Sequence, residues 1–76
     1  MNIAIGELAR RSSVKAPTIR FYEGIGLIPS PPRTQGHQRR YGLAKIARLN
    51  FIRRARELGF AVEAIRELLA MSERPD

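Results

Sequence analysis

Residues Thr18–Ser30 read TIRFYEGIGLIPS, and the way this stretch starts and stops decides the fold. It opens as a helix: Ile19 takes the inward face, while Arg20 and Tyr22 leave by neighbouring faces. Gly24 and Gly26 end it, and Leu27, just beyond Gly26, fits the apolar contact that follows a glycine C-cap. Pro29, Pro31 and Pro32 then exclude helix, because proline lacks an N–H and clashes with the preceding turn. A short helix carrying a cation and aromatic rings runs straight into a stiff segment flanked by Arg33.

Working back from Thr18, the helix starts near Ala16, with Pro17 tolerated in a first turn whose N–H groups are unpaired anyway. The residues SSVKA before it read as a turn, with Val14 as a buried plug. Ile3, Ile5, Leu8 and Ala9 predict an apolar stretch and then a first helix over about 6–12, with Glu7 well placed in its first turn. Ile5 is a poor N-cap, so tertiary contacts must hold that end. Two short helices joined by a tight turn, over 5–24, make a helix-turn-helix pattern. Arg20 and Glu23 lie a turn apart and are expected to pair, with Glu23 orienting the arginine.

Working forward, RTQGHQRRY (33–41) predicts a hairpin with Gln35, Gly36 and His37 at its tip, Gly36 supplying the positive φ. An isolated two-stranded hairpin is marginal in water, so the segment 29–41 reads as a wing leaning on the helices. A third helix is expected over about 43–58, with Ile46, Leu49, Ile52, Ala55 and Leu58 inward and Phe51 beside them. Gly59 caps it. A fourth follows over about 61–71, with Val62, Ile65, Leu68 and Leu69 on one face and a weak start at Ala61. One edge of that face is expected to remain for a further helix. The tail MSERPD has little apolar content and is expected to fray.

The 76 residues suffice for one small domain, whose thin core buries only roughly 60% of the unfolded chain's surface. Hydrophobic residues at 43% and charged residues at 28% suit a globular chain and argue against disorder. With no cysteine, neither a disulfide framework nor a thiolate metal site is available. No apolar run is long enough for a membrane span or a signal peptide, so the expected location is cytoplasmic.

Charge is the informative quantity. The net charge is +7, and it is unevenly spread. Between Arg10 and Arg56 there are twelve basic residues and one acid, Glu23; from Glu57 to Asp76 five acids face Arg66 and Arg74. Such polarity suits a polyanionic partner. Arg outnumbers Lys twelve to two, and the guanidinium fork matches phosphate geometry. Arg53, Arg54 and Arg56 form a further charge run, read first as a solvated face and second as a neighbour of nucleic acid. No Ser–His–Asp set, paired carboxylates or phosphate-cradling glycine loop is present, and His37 stands alone. Neither an enzyme nor a cofactor site is expected.

IGELARRSSV, TIRFYEGIGLIP, RTQGHQRRY and LNFIRRARELGFAVEAIRELL resemble, in order and with the expected gaps, the N-terminal DNA-binding domain of the MerR family. The likeness runs from Ile3 to Leu69, and TIRFYE followed by GLIP is its specific part; GHQRRY resembles the SoxR-like branch. The resemblance implies a mainly α winged helix-turn-helix, four helices plus a small β-hairpin wing, in one domain over 1–76. It puts Thr18, Arg20, Phe21 and Tyr22 on the recognition helix, with Arg20 on base edges or phosphate and Tyr22 on phosphate. Phe21 either touches DNA or packs under the wing. Arg39 and Tyr41 fall on the wing's backbone-contacting positions, with Arg33 and Arg40 close by. Two departures stand out: Ser13 where the family often has Gly, and Lys15 where a Ser or Thr commonly caps the recognition helix. Lys15 offers a phosphate contact instead.

Family members act as dimers on palindromic promoter elements, distorting an over-long spacer so that RNA polymerase engages it. The dimerisation helix and effector region lie outside this sequence, so the chain reads as an excised DNA-binding domain, expected to be monomeric or weakly associating alone. The function expected is sequence-specific binding of double-stranded DNA. Two other readings stay open: a standalone excisionase-like architectural protein, and a basic module for RNA or anionic lipid.

Overall fold

The computed structural model describes residues 2–29 and 40–72. The expected hairpin tip at Gln35, Gly36 and His37, the wing cations Arg33 and Arg39, and most of the tail lie outside the described residues. In chain order the elements are β1 (Asn2–Ile3), α1 (Ile5–Ser12), α2 (Ala16–Gly24), β2 (Tyr41–Gly42), α3 (Ala44–Glu57) and α4 (Val62–Ser72). The fold is a mainly helical winged helix-turn-helix. α1 packs against both α2 and α3, and α4 closes on α3.

Local chemistry explains the boundaries. The N-caps of α1, α2 and α3 are Ala4, Lys15 and Leu43, and none makes a side-chain capping bond. These ends are therefore held by packing, as the weak start at Ile5 implies. The C-termini are better finished. α1 stops at Ser13, which takes the left-handed conformation at φ 59°. That conformation favours glycine, which the family resemblance places there. Just beyond the C-caps of α2 and α3, Gly26 takes φ 78° and Gly59 φ 97°, each with the double backbone hydrogen bond of a glycine C-cap.

One core unites the elements. Leu8, Ile19, Ile28, Leu49, Ile52 and Ile65 have no exposed surface, and Val14 plugs the turn between α1 and α2. Each such aliphatic side chain contributes roughly 1.5–3 kcal/mol by leaving water. Two expected core positions depart from this pattern. Leu58 is 78% exposed and Leu68 is 40% exposed. Leu58 is the C-cap of α3, where the chain turns away, so the helical stripe ends before it. Leu68 lies beside Leu69, and only Leu69 reaches the core.

The strand pairing goes beyond the sequence expectations. β1 pairs antiparallel with β2, Asn2 opposite Gly42 and Ile3 opposite Tyr41. The N-terminal residues thus join the segment that leads into α3, and Ile3 and Tyr41, opposite each other in the pair, are both buried.

Candidate nucleic-acid interface

α2 divides its residues sharply. Ile19, Tyr22 and Glu23 face inward, whereas Arg20 and Phe21 are exposed and Thr18 lies between these extremes. Arg20, Thr18 and Lys15 make no side-chain hydrogen bond or ion pair with any described residue, so their donors are open to solvent. Phe21 is 57% exposed, with its ring tilted 51° to that of Tyr22 at a centroid separation of 6.0 Å. Phe21 therefore presents an apolar face beside Arg20 and is not packed away.

The start of α2 forms one wall of an open groove of about 370 Å³, lined by Ser13, Val14, Lys15, Thr18, Tyr22, Arg53, Arg56 and Glu57. No side chain caps the first N–H groups of α2, and the positive end of a helix dipole favours an anion there. With Lys15, Arg53 and Arg56 around it, the groove is cationic. Tyr22, only 8% exposed, contributes to the lining from below.

The arginines of α3 have different jobs. Arg53 Nε donates to the Ser12 carbonyl at 3.2 Å, Nη2 to Asn50 Oδ1 at 3.2 Å and Nη1 to Glu57 Oε2 at 3.3 Å. It satisfies a carbonyl at the end of α1 and so joins the two helices. Arg56 donates to the Phe60 carbonyl at 2.9 Å, closing the turn after α3. Arg54 is exposed. The run expected to be a solvated face is therefore partly structural.

Two expected roles need correction. Tyr41, assigned to the wing as a backbone contact, has no exposed surface. Its hydroxyl donates to Glu23 Oε2, so no phosphate reaches it in this conformation. Glu23, expected to orient Arg20, is buried and accepts the Tyr41 hydroxyl, while Arg20 on the neighbouring face stays exposed. Burial decides both: a carboxylate held away from water needs a donor, and the phenol supplies one. Arg40 is half-buried, and it donates to Asn2 Oδ1 at 3.3 Å and to the Asn2 carbonyl at 3.2 Å.

On α1, Glu7 accepts hydrogen bonds from Arg11 and Arg10. These two guanidinium groups, Arg11 first, hold its carboxyl below the usual carboxylate value. Both arginines are thereby partly neutralised, whereas Arg20 on α2 has no such partner among the described residues.

The comparisons agree with this geometry. Residues 3–72 match the family model described as the MerR HTH family regulatory protein. The mercuric resistance operon regulatory protein of Bacillus cereus is 45% identical over 76 residues, covering all of this chain and 58% of that protein. The transcription regulator PbrR691 of Ralstonia metallidurans CH34, solved with lead(II), superimposes with a TM-score of 0.88 at 40% identity, covering 97% of this chain and 58% of that one. HiNmlR, a MerR family regulator lacking the sensor domain and solved on promoter DNA, shares the fold with a TM-score of 0.89 at 22% identity, covering all of this chain and 58% of its own. This chain thus spans little more than half the length of these relatives. Its sequence blocks, helix order and exposed cationic α2 all fit, and the chain belongs to the MerR family of helix-turn-helix regulators.

Proposed function

We propose that this chain is the DNA-binding part of a transcription regulator and reads double-stranded DNA with α2 in the major groove. The observation that carries the reading is the division of α2: Arg20 and Phe21 open to solvent and Thr18 half-exposed, beside a groove lined by Lys15 and Arg56. Arg20 suits a base edge, with its planar fork matched to guanine acceptors. Lys15, Thr18 and the free N–H groups of α2 suit phosphates, which fix position without carrying sequence information. Arg33 and Arg39 are proposed to add backbone contacts beside the groove.

In the complete regulator, two copies are proposed to bind a palindromic promoter element where RNA polymerase engages. The relatives compared above are named as regulators, which favours this role over an excisionase-like protein or an RNA- or lipid-binding module. No helix among the described residues is long and apolar enough to cross a membrane. No group of three or more His, Cys, Asp or Glu residues there is arranged to hold a metal ion.

The test is a fluorescence-anisotropy titration against duplexes of varied half-site sequence, at several salt concentrations. Arg20→Ala is expected to cost about 1–3 kcal/mol on the preferred half-site and to relax discrimination. Arg39→Ala is expected to weaken all duplexes alike and to reduce the salt slope by about 1. Equal binding of every duplex and of RNA by the unmodified chain would remove the sequence-specific reading.

A further inference from the structure

Glu23 is the only acid in the basic part of the sequence, yet it is buried on the recognition helix three residues from the exposed Arg20. Its carboxylate receives the hydroxyl of Tyr41, itself wholly buried on β2. A leucine and a phenylalanine would fill the same space without taking a carboxylate out of water. A buried polar pair is weak as a source of stability and stronger as a device that fixes one geometry. The surrounding contacts show which geometry is fixed. Tyr41 pairs with Ile3 through the backbone, and the neighbouring Arg40 donates twice to Asn2. Just beyond the end of α2, Arg48 grips the Leu27 carbonyl at 3.2 and 2.9 Å. The strand that follows Arg40 is thus referred back to α2 itself.

We propose that Glu23 and Tyr41 are positioning residues, whose hydrogen bond sets β2 and Arg40 at a fixed place relative to the outward face of α2. The cations on both sides then meet one duplex at the same time. This inference rests on the DNA-binding reading above. Its signature is the number of phosphates engaged together, because each one neutralised adds roughly −0.9 to the slope of log affinity against log salt.

Tyr41→Phe deletes only the hydroxyl. It is expected to keep its helical circular dichroism and its ranking of half-site sequences, while the salt slope falls by roughly 0.9 for each phosphate no longer neutralised. Glu23→Gln retains an acceptor and is expected to hold the slope of the unmodified chain; Glu23→Leu is expected to reduce it. If Tyr41→Phe does not fold, the Gln and Leu variants decide the matter. A lowered melting temperature with an unchanged slope in Tyr41→Phe or Glu23→Leu would mean a merely structural pair and overturn the proposal while leaving DNA binding intact. Absence of duplex binding by the unmodified chain would instead overturn both.

Discussion

After α2, the N–H of Gly26 donates to the Glu23 carbonyl at 3.1 Å and that of Leu27 to the Tyr22 carbonyl at 2.9 Å. After α3, Gly59 donates to Arg56 at 3.0 Å and Phe60 to Ala55 at 3.0 Å. The two turns have the same hydrogen-bond pattern, with glycine at positive φ and an apolar residue next. Yet Leu27 is 1% exposed and Phe60 is 46% exposed. Backbone grammar is local and is written in five or six residues. Whether the apolar residue finds a core depends on elements far away in sequence. Beneath Leu27 lies the packing of α2 on the rest of the core; Phe60 sits where the chain reverses between α3 and α4.

The contrast between the two turns is most vulnerable at Leu27. Leu27→Ala is expected to lower stability by about 2–5 kcal/mol in chemical denaturation, the range for truncating a buried leucine. A loss no larger than that of Phe60→Ala would deny the difference in burial. The two glycines should instead behave alike. Gly26→Ala and Gly59→Ala each force a side chain into the left-handed region and are expected to cost about 1–2 kcal/mol. At Gly26 the added methyl also meets Arg66 Nη1 at 3.4 Å, the flexible end of a side chain, so no large extra cost follows.

Phe60→Ala, at a half-exposed site, is expected to cost about 1 kcal/mol, measured in the same denaturation series. Ser13 approaches the question from the other side, because its turn has the left-handed conformation without the glycine. Ser13→Gly is expected to raise stability by about 0.4–1 kcal/mol, with a matching rise in thermal midpoint. The smallest effect is electrostatic. The Glu7 carboxyl is held lower in the fold than in the unfolded chain, so its contribution is complete above its ordinary value of 4.5 and fades as the pH falls below it. A Glu7→Gln variant should show a slightly shallower loss of melting temperature on acidification; an identical pH profile would mean that Arg10 and Arg11 do not hold the carboxylate in solution.

What is legible in the sequence divides along the same line. The helices fall within one residue of their expected limits, because glycine caps and apolar spacing act over a few residues. Val14, Ile19 and the stripe through Leu49, Ile52 and Ala55 are readable by periodicity. The open cationic side of α2 follows from the placement of Arg20. The run QRRY gives no hint that Tyr41 is buried, because its partner Glu23 stands 18 residues earlier. Basic and aromatic residues on an expected wing look like surface until something removes one of them from water. Arg53 likewise reads as a solvated charge, since the Ser12 carbonyl it satisfies is 41 residues distant. The pairing of Asn2 with Gly42 leaves no periodic trace, as two-residue strands are too short to show alternation.

That short pairing has a practical side for anyone who handles the protein. Asn2 is both a strand residue and the acceptor for Arg40. Any tag, cleavage scar or fluorophore joined ahead of it adjoins the first paired residue of β1, whose partner strand carries the Tyr41 that reaches Glu23. In an anisotropy experiment the dye belongs on the duplex, where it leaves that seam untouched.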